Sequence, residues 1–208
     1  MPLTLSVQRR LSRFWLAACW RWWDWSGRSD RALATLDELL ASCEPLDPHL
    51  LATRAHALGS LNRWAAARSD LEQLCALCPH HAAHHYNLGF VCMQMGDGAS
   101  AVQAFGQSVT LNPRLDQGWY GLGGARMAVG DWRGAEDAWR KQVQLQPLCP
   151  DGYVRLIELF VSRGDFDSAR SWWNRLSHFD PRRAFELQPV LPESGAVRWA
   201  RGGQVECT

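Results

Sequence analysis

Four prolines stand at one spacing along the chain: Pro79, Pro113, Pro147 and Pro181 are each 34 residues apart. Ala67, Ala101, Ala135 and Ala169 keep the same step, as do Gly96-Asp97, Gly130-Asp131 and Gly164-Asp165. Trp64, Trp132 and Phe166 fall on it, with Gly98 in the gap. Leu88-Gly89 and Leu122-Gly123 follow, with Leu156-Ile157 as a weaker third copy. A fixed period of this length restricts the chain to an array of like units. Each unit is one supersecondary element that cannot bury its apolar face alone and so stacks on the next.

The residue types say what the unit is. The small residues let two helices approach closely, and the large Leu71, Phe105, Trp139 and Trp173 fill the space between helices. Each glycine ends a first helix, where a left-handed cap has no room for a Cβ. The aspartate after it suits the start of a second helix, and the proline marks that helix's end. The pattern predicts an all-α chain of helix–turn–helix units.

These residues resemble the tetratricopeptide repeat, most fully in Trp119, Leu122, Gly123, Ala135, Trp139 and Pro147. Four copies are expected at 48–81, 82–115, 116–149 and 150–183, which together make up residues 48–183. Residues 1–46 are expected to hold an amphipathic N-terminal helix and a degenerate first copy over 13–46, with Gly27, Ala32, Leu36 and Leu39 one residue out of register. Residues 184–208, broken by Pro189 and Pro192, form an irregular tail or cap. The resemblance implies a right-handed α-solenoid of about five repeats. Arg54, His85, Arg126 and Ile157 replace usual packing residues of that family, so local packing is expected to differ there.

Composition narrows the function. Hydrophobic residues are 47% of the 208 and charged residues 21%, which fits a globular chain. A net charge of +1 makes no global case for nucleic acid. Seven cysteines at irregular spacings are not a disulfide framework, so a reducing, cytoplasmic setting is expected. No phosphate loop, nucleophile elbow or HExxH helix occurs, so the chain is expected to be no enzyme and to carry no cofactor.

The stretch CALCPHHAAHH at 75–85 invites metal or redox chemistry. Haem attachment needs a histidine directly after the second cysteine, and Pro79 stands there; a thioredoxin-like pair wants a βαβ context. In repeat register the stretch is the seam between two copies. The plain reading makes Cys75 a small buried hydrophobe beside solvated turn histidines. Zinc held by Cys75, Cys78 and His84 is the competing reading, although structural zinc usually closes a longer loop.

In the resembled family the first helices line a concave face. That implies Ala83, Tyr86, Phe90, Met93 and Gln94 from the copy at 82–115, and Gln117, Tyr120, Gly124, Met127 and Ala128 from the next. The last copy adds Asp151, Val154, Glu158, Val161 and Ser162. The groove is aromatic and Met-rich at its centre, acidic at one end, and lacks the Lys and Arg that would clamp a terminal carboxylate. Such a surface suits an apolar or amphipathic helix or peptide of another protein. The expected function is a non-enzymatic adaptor in complex assembly or secretion in a bacterium. The competing reading has Phe90 and Met93 packed against neighbouring helices or the chain's own tail.

The N-terminus offers another surface. Arg10, Arg13, Arg21, Asp24 and Arg28 share one helical stripe, with Trp15, Trp22 and Trp25 on the other side. Six Arg and two Asp give the first 31 residues a local charge of +4. Trp15, Trp22, Trp23 and Trp25 would suit contact with an anionic membrane surface, which makes a membrane-peripheral assembly factor the alternative function. The plainer reading is the first helix of the degenerate repeat. The apolar run between Arg13 and Cys19 is shorter than the roughly 7–15 residues of an export signal.

Overall fold

The computed structural model describes residues 29–41 and 46–187, and every element assigned among them is a helix. In chain order these are α1 (Ser29–Ala41), α2 (Pro48–Ser60), α3 (Trp64–Leu77), α4 (Ala82–Gln94) and α5 (Gly98–Leu111). They continue with α6 (Asp116–Ala128), α7 (Trp132–Leu145), α8 (Pro150–Ser162), α9 (Phe166–Phe179) and α10 (Pro181–Leu187). The first helices of the copies start at Pro48, Ala82, Asp116 and Pro150, and the second at Trp64, Gly98, Trp132 and Phe166, so both series keep the 34-residue step. The chain divides into two compact units, Met1–Asp131 and Trp132–Thr208, and the division falls inside the copy at 116–149.

The turn between the two helices of a copy explains the periodic glycines. Gly96, Gly130 and Gly164 have φ of 75°, 80° and 73°, the left-handed region where a Cβ is costly. The residue after each donates its N–H back to the helix it has left: Asp97 to Cys92 at 2.9 Å, Asp131 to Arg126 at 2.8 Å, Asp165 to Phe160 at 2.9 Å. This closes the helix end by a Schellman-type bond. The copy at 48–81 makes the same turn with Asn62 at φ 57°, and Arg63 donates to Leu58 at 2.8 Å. Asn is the residue other than Gly that best tolerates this conformation. The aspartates then cap the next helix: Asp97 Oδ1 accepts from Ser100 N at 3.0 Å and Asp165 Oδ1 from Ser168 N at 3.1 Å.

In the first unit each helix packs on the next, and α4 also packs on α6. Leu36, Leu51, Leu74 and Leu122 are fully buried in it. Phe105 of α5 sits between those two first helices, pressed against Gly89 of α4 and Gly121 of α6. In the second unit α7 packs on α8, α8 on α9 and α9 on α10 around Trp139, Leu156, Ile157, Leu159 and Leu176. Gly152 there lies against the buried Gln142, whose Oε1 has no hydrogen-bond partner, so the missing Cβ makes room for a polar side chain.

The four departures from the repeat pattern each find a local solution. Arg54 of α2 grips the buried Asp70 of α3 with Nε at 2.8 Å and Nη2 at 2.7 Å, and reaches Asp37 of α1 at 2.8 Å. A planar two-pronged pair of this kind is among the strongest side-chain contacts. Arg126 lies 3.7 Å from Asp131 across the turn. Ile157 is wholly buried. His85 keeps a contact made by the larger rings at its position: its Nε2 meets the Pro79 carbonyl at 3.0 Å. Trp119 Nε1 does the same to Pro113 and Tyr153 Oη to Pro147, both at 2.9 Å.

Candidate protein-binding surface

The face implied for recognition is split by the unit boundary, and the part in the first unit is formed by α4 and α6. On α4, Phe90 is 46% exposed and Gln94 is exposed, while Tyr86 and Met93 are half-buried. Phe90 meets the Trp64 ring edge-on at 6.3 Å, so its position is held from α3 while much of the ring faces water. Tyr86 packs on Phe105 at 5.7 Å, and burial, with Asp116 nearby, pushes its phenol above the ordinary range. On α6, Gln117 is exposed and Tyr120 and Met127 are half-buried. Between the last two, a Cβ at Gly124 would meet nothing within 4 Å. The face therefore has an open notch beside apolar and aromatic side chains.

In the second unit the expectation needs correcting at one residue. Val154 is only 7% exposed and offers no surface. Helix α8 is apolar at Tyr153, Val154, Leu156, Ile157, Leu159 and Phe160, and all six are buried. An apolar arc that wide cannot leave Val154 out. Glu158 is exposed, but its carboxylate pairs with Arg155 one turn earlier at 3.0 Å.

The Cys/His seam does not assemble a metal centre: among the described residues no three His, Cys, Asp or Glu side chains are grouped to hold an ion. Burial pushes the half-buried Cys75 thiol up to about 11, which keeps it protonated at neutral pH. Cys78 caps α3 through its backbone, and His84 stacks on His81 at 4.0 Å. Burial and the neighbouring His81, His85 and His49 hold the His84 imidazole below its usual range. Trp15, Trp22, Trp23 and Trp25 lie outside the described residues. Among the described residues no helix is long and apolar enough to cross a membrane.

Consecutive helical hairpins at a constant step, closed by left-handed turns and bearing a partly exposed apolar face on their first helices, define a helical-repeat protein. The tetratricopeptide repeat profile matches residues 53–116 and 120–184, and the chain belongs to that family, whose members mediate protein–protein interaction. A wheat (Triticum aestivum) Hsp70-Hsp90 organizing protein is 31% identical over 88 residues, which is 42% of this chain and 15% of that protein. The chain thus spans under a sixth of the length of that curated relative. Among solved structures, a MamA protein superposes at TM-score 0.76 with 17% identity, covering 86% of this chain and 95% of that one. MamA 41-end from Desulfovibrio magneticus RS-1 gives 0.74 at 23% identity, over 83% and 95%. A thermophilic repeat protein from Thermus thermophilus, TTC0263, gives 0.60 at 18%, over 86% and 97%. At these identities the likeness is one of fold.

Proposed function

We propose that the chain is a non-enzymatic adaptor that seats a helix or extended peptide of a partner protein on the α4–α6 face. The observation that carries this reading is Phe90, nearly half exposed on α4, on the helix that packs beside the one bearing the open notch at Gly124. Exposed aromatic rings fixed by their neighbours make efficient anchors because little side-chain freedom is lost on binding. Met93 and Met127 add an adaptable apolar rim. Gln94 and Gln117 supply hydrogen bonds without a fixed charge, which suits an apolar or amphipathic segment better than a terminal carboxylate.

The test is affinity capture with the native chain, Phe90→Ala and Gly124→Leu. Leucine at an open helical position raises helix propensity and fills the notch, so this variant should fold at least as well as the native chain. A partner bound by the native chain and lost from both variants is the expected result. Retention of every partner by both variants would remove this face from the reading.

A further inference from the structure

The second unit carries a charged surface that the adaptor reading does not use. Trp172 of α9 is buried, with its ring edge-on to Tyr153 at 5.7 Å, and Tyr153 is itself tied to the Pro147 carbonyl. Two guanidiniums stack on that one indole: Arg175 at 4.3 Å from the ring centroid and Arg140 of α7 at 5.5 Å. Arg175 also lies 5.7 Å from the Tyr153 ring. The rings are fixed by core packing, so the arginines beside them rest on a rigid aromatic surface, Arg175 without a carboxylate partner among the described residues.

The charges around them do not balance. Glu136 serves two arginines at once, Arg140 at 2.8 Å and Arg163 at 3.1 Å. Arg175 is exposed and has no ion pair among the described residues. Asp137 and Lys141, also on α7, are opposite in formal charge and add nothing to the sum. Three guanidiniums around one carboxylate leave a local excess of positive charge. Arg175, with no ion pair among the described residues, offers its N–H groups while resting against a fixed ring, so closing on an anion costs less than for a loose side chain; Arg140 already gives one N–H to Glu136 and offers the others.

We infer that Arg175 and Arg140, stacked on Trp172, form a second docking surface that takes an acidic segment of a partner protein. The two guanidinium carbons are at most about 10 Å apart, since they lie 4.3 Å and 5.5 Å from one ring centroid. Two carboxylates one helical turn apart, at about 6 Å, or two residues apart on a strand, at about 7 Å, can meet them together. Nucleic acid is the poorer fit. Its binding draws on many phosphate contacts, whereas the chain's net charge is +1 and the local excess is small.

The experiment titrates a labelled, end-capped hexaglutamate peptide into the full chain at low salt and follows anisotropy. Arg175→Gln, Arg175→Lys and Arg114→Gln are compared, the last removing an exposed arginine of the first unit. The surface predicts saturable binding, weakened about tenfold by Arg175→Gln and by less in Arg175→Lys, which keeps the charge but loses the fork. Arg114→Gln should change it less than about twofold. The lysine variant covers the case in which the glutamine variant unfolds through lost stacking. Absence of saturation, or equal weakening by Arg114→Gln, overturns the proposal. So does an oligothymidylate of equal charge that binds as tightly and is weakened alike, which would assign the surface to nucleic acid.

Discussion

Phe105 Cε1 stands where a side chain at Gly121 would begin: a Cβ built there falls 2.5 Å from it. Three residues on, along the same helix, the same atom at Gly124 would touch nothing. One glycine is required by packing and the other is not. Gly121→Ala should destabilise the chain by about 1–3 kcal/mol, the usual range for overpacking a core. Gly124→Ala should stabilise it by about 0.5–1 kcal/mol through helix propensity. Urea unfolding of the two variants reads both signs.

The Arg54–Asp70 pair is the most buried ion pair among the described residues, with side-chain exposures of 24% and 4%. Asp70→Asn should cost about 2–3 kcal/mol, below the range for fully buried pairs because Arg54 keeps some water. Replacing both partners, as Arg54→Met with Asp70→Leu, should recover most of that loss, since the double change leaves no unpaired charge. Denaturant midpoints across the four-member cycle check it. Additive losses would mean that the pair contributes nothing of its own.

The hydrogen bond from Tyr153 Oη to the Pro147 carbonyl can be removed with little change of shape. Tyr153→Phe should lower stability by about 1 kcal/mol, or roughly 2–4 °C in melting temperature for a chain of this size. His85→Phe should behave alike, whereas His85→Trp should retain the bond, since Trp119 makes it from the same position.

Cys75 supplies a dependence on pH. Its folded-state thiol, pushed up to about 11, lies above the ordinary value of about 8.5 that the unfolded chain would show. A raised folded value favours the fold while the thiol is protonated. Stability should therefore hold below about pH 8.5 and decline as pH rises through that value toward 11. Cys75→Ala should flatten this decline. At pH 8, peptide mapping after alkylation should show Cys75 reacting at least about a hundredfold more slowly in the folded chain than in urea, following its thiolate fraction.

The helices were legible because the period was written in residues that punctuate backbone. Proline, glycine and alanine at one step placed both helix series and three of the four left-handed turns. The fourth escaped the glycine count because Asn62 reaches the same conformation with a different side chain. The Arg54–Asp70 pair was illegible for another reason: its partners are 16 residues apart and replace apolar residues, Leu88 and Ala104 in the next copy, so the repeat pattern marks Arg54 as a departure without naming its partner. Val154 was misplaced onto the surface because register gives a direction along a helix but not the width of the buried arc. The two arginines on Trp172 come from neighbouring copies, and only packing brings them to one ring.

An imidazole, an indole and a phenol all reach the carbonyl of the proline six residues earlier. They differ in size, aromaticity and acidity, and share one proton that can be offered in one direction. In these three copies the position keeps a donor while its bulk varies widely; the copy at 48–81 places the buried Leu51 there and makes no such bond. Where the ring is present, the bond ties the start of one copy to the proline that ends the copy before it, so it acts as a joint between copies and not as a contact within one.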